Sequence, residues 1–186
     1  ISGNTGLYCA GVYCRDNSAA LIVDCVISNN TGTYAGGVRI VRSDAQLLNC
    51  IIADNTATDS GAGLRCDFGP AQPMIENCTI TGNVSNVTGG GLWSAESSHP
   101  LVRNCIVWGN SAAAQGSQIT VSNQSTLTVA YSDIQGGQSA VYRAGDGQLI
   151  WDGGNIDADP SFVDPASGDY ALMSARGRYW AEHDIW

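Results

Sequence analysis

The chain contains no lysine; all eight of its basic residues are arginine. Charged residues make up 13% of its 186 residues, against roughly 25% in an ordinary globular domain. Phenylalanine, methionine and histidine occur only twice each, and proline five times. Each scarcity excludes something. With a net charge of −9 and no basic cluster, the surface repels phosphate backbones, so nucleic acid is not an expected partner. No apolar run approaches the roughly 18 residues that cross a bilayer as a helix, so no membrane span is expected. Gly, Asn, Asp or Pro interrupts every window of a dozen residues at helix-breaking spacing. No Cys-x-x-Cys pair offers the usual start of a zinc site.

Small and apolar residues are abundant instead. Hydrophobic residues reach 44%, and there are 23 glycines. That balance suits flat strands joined by tight corners. Four segments then repeat one pattern: DCVISNN (24–30), NCIIADN (49–55), NCTITGN (77–83) and NCIVWGN (104–110). Their cysteines, Cys25, Cys50, Cys78 and Cys105, are 25, 28 and 27 residues apart. A period of that size marks a solenoid, each repeat being one turn of a stack. About six such turns fit the chain at roughly 27 residues each. A weaker fifth repeat carries Ser132 where Cys is expected. The opening ISGN matches the end of a coil, as expected of a fragment that starts inside a repeat.

Aligning the repeats gives three short strands per coil, with every second residue inward. Strand one points Val12, Val38, Leu64, Leu92 and Ile119 inward. Strand two does so with Ile22, Leu47, Ile75, Val102 and Val129. Strand three points the four motif cysteines inward, then Ile27, Ile52, Ile80, Val107 and Ile134. Two corner columns are rich in asparagine: Asp24, Asn49, Asn77, Asn104, and Asn4, Asn30, Asn55, Asn83, Asn110. Asn accepts the left-handed conformation of a tight corner, and its amide can bond to the Asn one coil away. Gly11, Gly37, Gly63 and Gly91 mark the bend into strand one. Six of the seven cysteines fall on inward columns, where parallel neighbours do not readily reach disulfide geometry. Buried free thiols are expected, with Cys9 partly buried near the first corner.

The repeats resemble those of right-handed parallel β-helices of the pectate-lyase-like superfamily, in particular the repeat segments of large bacterial secreted or surface proteins. The fold expected is therefore all-β, a right-handed parallel β-helix of about five to six coils with an irregular capping tail. Residues 1–137 form the repeats; 138–186 form a last coil and the tail of the same domain. The resemblance implies a secreted or cell-surface location. It leaves the activity open, because this fold hosts lyases, hydrolases, adhesins and modules without activity. Family lyases use an Arg or Lys base beside calcium. That implies Arg39 or Arg65 as the base and Asp44, Asp59 and Asp67 as ligands. Family hydrolases use paired Asp residues and Gly-His-Gly, and the chain has neither. His99 and His183 stand without a recognisable partner.

The outward residues of strand one give the strongest binding candidate: Tyr13, Arg39, Arg65 and Trp93, followed by Thr120. Aromatic faces stack on sugar rings, and guanidinium forks grip carboxylates. An acidic or neutral polysaccharide is the expected ligand along that stripe. No residue is assigned a catalytic role. Asp157 and Asp159 alternate with Asn155 as in some calcium loops, which makes them the candidate metal ligands. No other cofactor is expected. Phe162, Val163, Tyr170 and Leu172 are expected to pack over the open end of the last coil. The function expected is thus a non-catalytic extracellular scaffold, a single chain, that binds carbohydrate. The alternatives are a polysaccharide lyase or glycoside hydrolase module, and a surface adhesin segment.

Overall fold

The computed structural model describes residues 1–173. His183 and the rest of the 138–186 tail beyond that point lie outside the described residues.

The chain winds into four parallel sheets. Sheet one stacks Val12–Arg15, Val38–Val41, Leu64–Asp67, Leu92–Ser94, Ile119–Ser122 and Val141–Ala144. Sheet two stacks Leu21–Val23, Gln46–Leu48, Met74–Glu76, Leu101–Arg103, Thr126–Ala130 and Gln148–Trp151. Sheet three stacks Val26–Ser28, Ile51–Ala53, Thr79–Thr81, Ile106–Trp108 and Asp133–Ile134. The sequence pattern did not anticipate the fourth sheet. It is built from two-residue strands just after the ladder asparagines: Thr5–Gly6, Thr31–Gly32, Thr56–Ala57, Val84–Ser85 and Ser111–Ala112. Strands that short carry no readable alternation.

Like stacks on like, as the repeats require. Ile75 pairs with Leu47 below and Val102 above, and Ile80 with Ile52 and Val107. Their inward side chains form one continuous core, almost entirely sealed from solvent. The sixth coil lacks the short strand, and its Leu149 and Trp151 lie half-buried against that core.

The two asparagine columns divide the work. Asp24, Asn49, Asn77 and Asn104 adopt the left-handed conformation, with φ between 51° and 55°. The second column does not. There the positive φ falls one residue earlier, at Asn29, Asp54, Gly82 and Gly109, which frees the next Asn to build the ladder. The Asn55 side-chain oxygen accepts the Asn30 backbone and side-chain N–H groups at 3.1 and 3.0 Å. Its own amide donates to Asn83 Oδ1 at 3.0 Å and to the Ile27 carbonyl at 2.9 Å. Every polar atom of this fully buried side chain is thereby used, which removes the penalty for burying it.

The glycine column runs beside this ladder. A Cβ on Gly63 would sit 2.6 Å from the Gly91 carbonyl and 2.8 Å from Asn83 Nδ2. Close approach, not dihedral freedom, demands glycine here. The fifth coil breaks both columns together. Gln118 takes the glycine position above Gly91, and no sixth asparagine lies above Asn110. Gln118 fills that gap: its Oε1 accepts Asn110 Nδ2 at 2.8 Å, and its amide donates to Gln135 Oε1 at 2.8 Å.

The cysteines form a third ladder. Each thiol donates to the carbonyl two residues back, as Cys78 does to Glu76 at 3.2 Å. Two of them also accept a backbone N–H from the coil below: Cys50 N–H to Cys78 Sγ, and Cys78 N–H to Cys105 Sγ, both at 3.4 Å. Ser132 continues the column, accepting the Cys105 N–H at 3.1 Å, and Asn155 Oδ1 ends it on the Ser132 N–H at 2.9 Å. All seven thiols are free, and Cys9 and Cys25 are only partly buried. Its hydrogen bond to Cys105, then burial, push the Cys78 thiol up to about 12.

The described part of the tail, up to residue 173, does not cover the end of the stack. Phe162–Asp164 and Asp169–Leu172 form an antiparallel hairpin on the outer side of sheet three. Phe162 and Tyr170 meet edge to face at 5.4 Å and pack on Ala53, Ile51, Ile106 and Trp108. Tyr170 donates its hydroxyl to Asp54 Oδ2 at 2.7 Å, a contact across 116 residues. Val163 and Leu172, expected to be packed, are about half exposed. The reason lies in the outward residues of sheet three. Ile51, Ile106 and Trp108 are apolar and need a cover, and Ala53 is small enough to admit two aromatic rings.

Candidate functional site

The register of sheet one places Tyr13, Arg39, Arg65, Trp93, Thr120 and Tyr142 in one outward column. The predicted stripe is therefore continuous, but its members are not equally accessible. Tyr13 is 38% exposed and Trp93 half-buried, whereas Arg39 and Arg65 are 5% and 6% exposed.

Asp67 accounts for both arginines. It lies two residues after Arg65, so strand alternation puts it on the same outward face. Arg39 grips it with Nε at 3.2 Å and Nη2 at 2.7 Å, and Arg65 with Nε at 2.6 Å. Arg65 also donates to the Ser60 carbonyl at 3.3 Å, and half-exposed Asp59 lies 3.8 Å from it. Burial pulls the Arg65 guanidinium below its ordinary value, and Asp67 pulls it back up. Asp67 itself has no exposed surface. The two forks are thus filled from within, as burying charge requires.

Aromatic rings roof this network. Arg39 lies under Tyr13 and Tyr34, at 5.6 and 5.0 Å from their ring centres. Arg65 lies between Tyr34 and Trp93, at 5.2 and 4.0 Å. Tyr8 stacks on Tyr34 with centres 6.0 Å apart and planes 11° from parallel. Beside the roof, Tyr8, Tyr13, Arg15, Arg39, Arg42 and Phe68 line a cleft of about 320 Å³. Asp16 accepts from Arg15 and Arg42 there; those hydrogen bonds, Arg42's first, hold its carboxyl below the usual range.

Sequence reasoning found Tyr13 and Trp93 but missed Tyr8, Tyr34 and Phe68. These sit in corners and loops, where no period predicts direction. Asp67 was expected as a calcium ligand; the Arg-x-Asp spacing, which puts it on the outward face beside Arg65, is the signal that points to the ion pair instead.

The residues implied by the lyase resemblance do not assemble. Asp67 and Asp59 flank Arg65, but Asp67 is closed to any substrate. Asp44 lies elsewhere, its Oδ1 accepting the Gln72 N–H at 2.7 Å. His99 Nδ1 accepts the Thr126 N–H at 3.2 Å, a bond between coils. Asp157 Oδ1 accepts the Gly136 N–H and Asp159 Oδ1 the Ser161 N–H, at 2.9 and 2.8 Å. Burial, then the charges of Asp157 and Asp159, push nearby Asp133 upward. Among the described residues no three His, Cys, Asp or Glu side chains group as metal ligands. That donor set falls short of the roughly six to eight oxygens calcium takes. No helix among the described residues is long and apolar enough to cross a membrane.

A family model described as a right handed beta helix region matches residues 1–161. No curated protein and no solved structure matches the chain.

Proposed function

Because the chain belongs to the right-handed β-helix family, we propose that it is a non-catalytic extracellular scaffold that binds carbohydrate on the outer face of sheet one. The observation that carries this reading is the aromatic roof of Tyr8, Tyr13, Tyr34 and Trp93, held rigid over a buried charge network. Rings fixed in place lose little freedom when a sugar stacks on them, which lowers the cost of binding. The neighbouring cleft adds Arg15 and Arg42, whose charges favour acidic residues in the glycan. A lyase reading would take Arg39 or Arg65 as its base, and both guanidiniums are buried and held by Asp67.

The test is a glycan array probed with the wild-type chain, Tyr13→Ala and Trp93→Ala. Binding to one glycan class, weakened about tenfold or more in either variant, supports the reading. Equal signals for all three proteins overturn it.

A further inference from the structure

A second cleft lies on the other flank, under the hairpin. Its volume is about 450 Å³, within the roughly 300–1,000 Å³ typical of ligand sites. Trp108 and Tyr170 supply aromatic walls, Asp54 and Asp159 carboxylates, and Thr81 and Ser161 hydroxyls. These groups come from four places in the chain. Asp54 and Thr81 belong to the second and third coils, Trp108 to the fourth, and the rest to the tail. The hairpin thus completes a concave site that the stacked coils alone leave open.

The chemistry differs from that of sheet one. There the polar groups beside the rings are guanidinium donors; here they are carboxylate acceptors. A carboxylate takes up to two hydrogen bonds per oxygen and suits a ligand rich in hydroxyl donors. It repels a ligand that carries carboxylates of its own. Trp108 stays half-buried, leaving part of the indole open as a stacking platform. Asp54 is fixed by the Tyr170 hydroxyl at 2.7 Å, so one acceptor is already oriented.

From this arrangement the geometry points to a second binding site, formed by the hairpin over Trp108, for an uncharged pyranose presenting adjacent hydroxyls. The site is independent of the sheet-one reading: it shares no residue with the aromatic roof.

The experiment is an NMR titration of the whole chain with three oligosaccharides. One is built of glucose, one of glucuronic acid and one of glucosamine. The amide signals of Gly82 and Gly109, both in the cleft lining, report this site. Those of Tyr13 and Trp93 report the other. The glucose oligomer is expected to shift Gly82 and Gly109 saturably, and the glucuronic acid oligomer to leave them unmoved. Trp108→Ala is expected to weaken the glucose response about tenfold or more. Asp54→Asn keeps an acceptor for Tyr170 and so preserves the hairpin; it is expected to weaken the response several-fold. Tyr13→Ala leaves that response unchanged, so the two sites fail separately. No shift at Gly82 and Gly109 overturns the proposal. So does a glucuronic acid response equal to that of glucose, or a response confined to the glucosamine oligomer, which would mean that charge alone is read. A glucose response unchanged in both Trp108→Ala and Asp54→Asn also overturns it.

Discussion

The outer faces of sheets one and three are both covered, by opposite means. On sheet one the cover is local and polar beneath: Arg39 and Arg65 close on Asp67 within adjacent coils, and rings from neighbouring corners lie over them. On sheet three the cover is remote and apolar, a hairpin brought from the tail onto Ala53, Ile106 and Trp108. The contrast teaches that the outward half of a strand's alternation is not a solvated half. What lies there depends on whether the exposed column is charged, and so can pair along the stack, or apolar, and so needs a lid.

Removing the centre of the sheet-one network breaks the comparison most sharply. Asp67→Ala leaves two buried guanidiniums without a counter-charge and is expected to cost about 3–5 kcal/mol in urea unfolding, shared by the whole stack. The equivalent cut on sheet three, Phe162→Ala, is expected to cost only about 2 kcal/mol. Its effect is local: hydrogen exchange should quicken in residues 162–172 while the coil amides keep their protection. A cut in the hairpin that melts the coils would show that the lid supports the stack.

Tyr170→Phe removes one hydrogen bond and is expected to cost about 1 kcal/mol. Alkali reaches the same bond without mutation. Burial, then Asp54, push the Tyr170 phenol above its ordinary 10.0, so its contribution is complete below pH 10 and fades as pH rises beyond it. The Cys78 thiol behaves alike, complete below its ordinary 9.0 and lost on the way to about 12. Stability should therefore be flat through neutral pH and fall above pH 9, with hairpin and core weakening in the same window. A fall that begins near pH 7 would contradict both assignments. The smallest effect is expected at Tyr13→Ala, within about 0.5 kcal/mol of wild type, because an exposed ring contributes little to the fold.

The columns were legible because a solenoid repeats each local decision in every coil. Four cysteines and five asparagines, stepping together by 25 to 28 residues, settle the register of three sheets. The fourth sheet was not legible, since Thr31–Gly32 and its equivalents are too short to show a period. The candidate site was read in part. Alternation put Tyr13, Arg39, Arg65 and Trp93 in one column, but whether a long side chain is open depends on what folds over it. Tyr34 and Phe68, which decide that, lie in connections that differ from coil to coil. The tail shows the same limit. Phe162 and Tyr170 were recognised as packing residues, yet their surface was set by Trp108 and Ala53, far away in sequence.

Each amide of the asparagine column donates one proton to the next asparagine toward the C-terminal end, and Gln118 receives the last of these from the side. Such a row has a direction and a full stop. One middle rung could be excised, or another copied in, and every neighbour would still find a partner facing the right way. A rung spliced in after Gln118 would arrive where the sentence has already closed. The asparagine row is thus editable within the earlier coils and closed at the fifth, and the sixth coil stacks on without it.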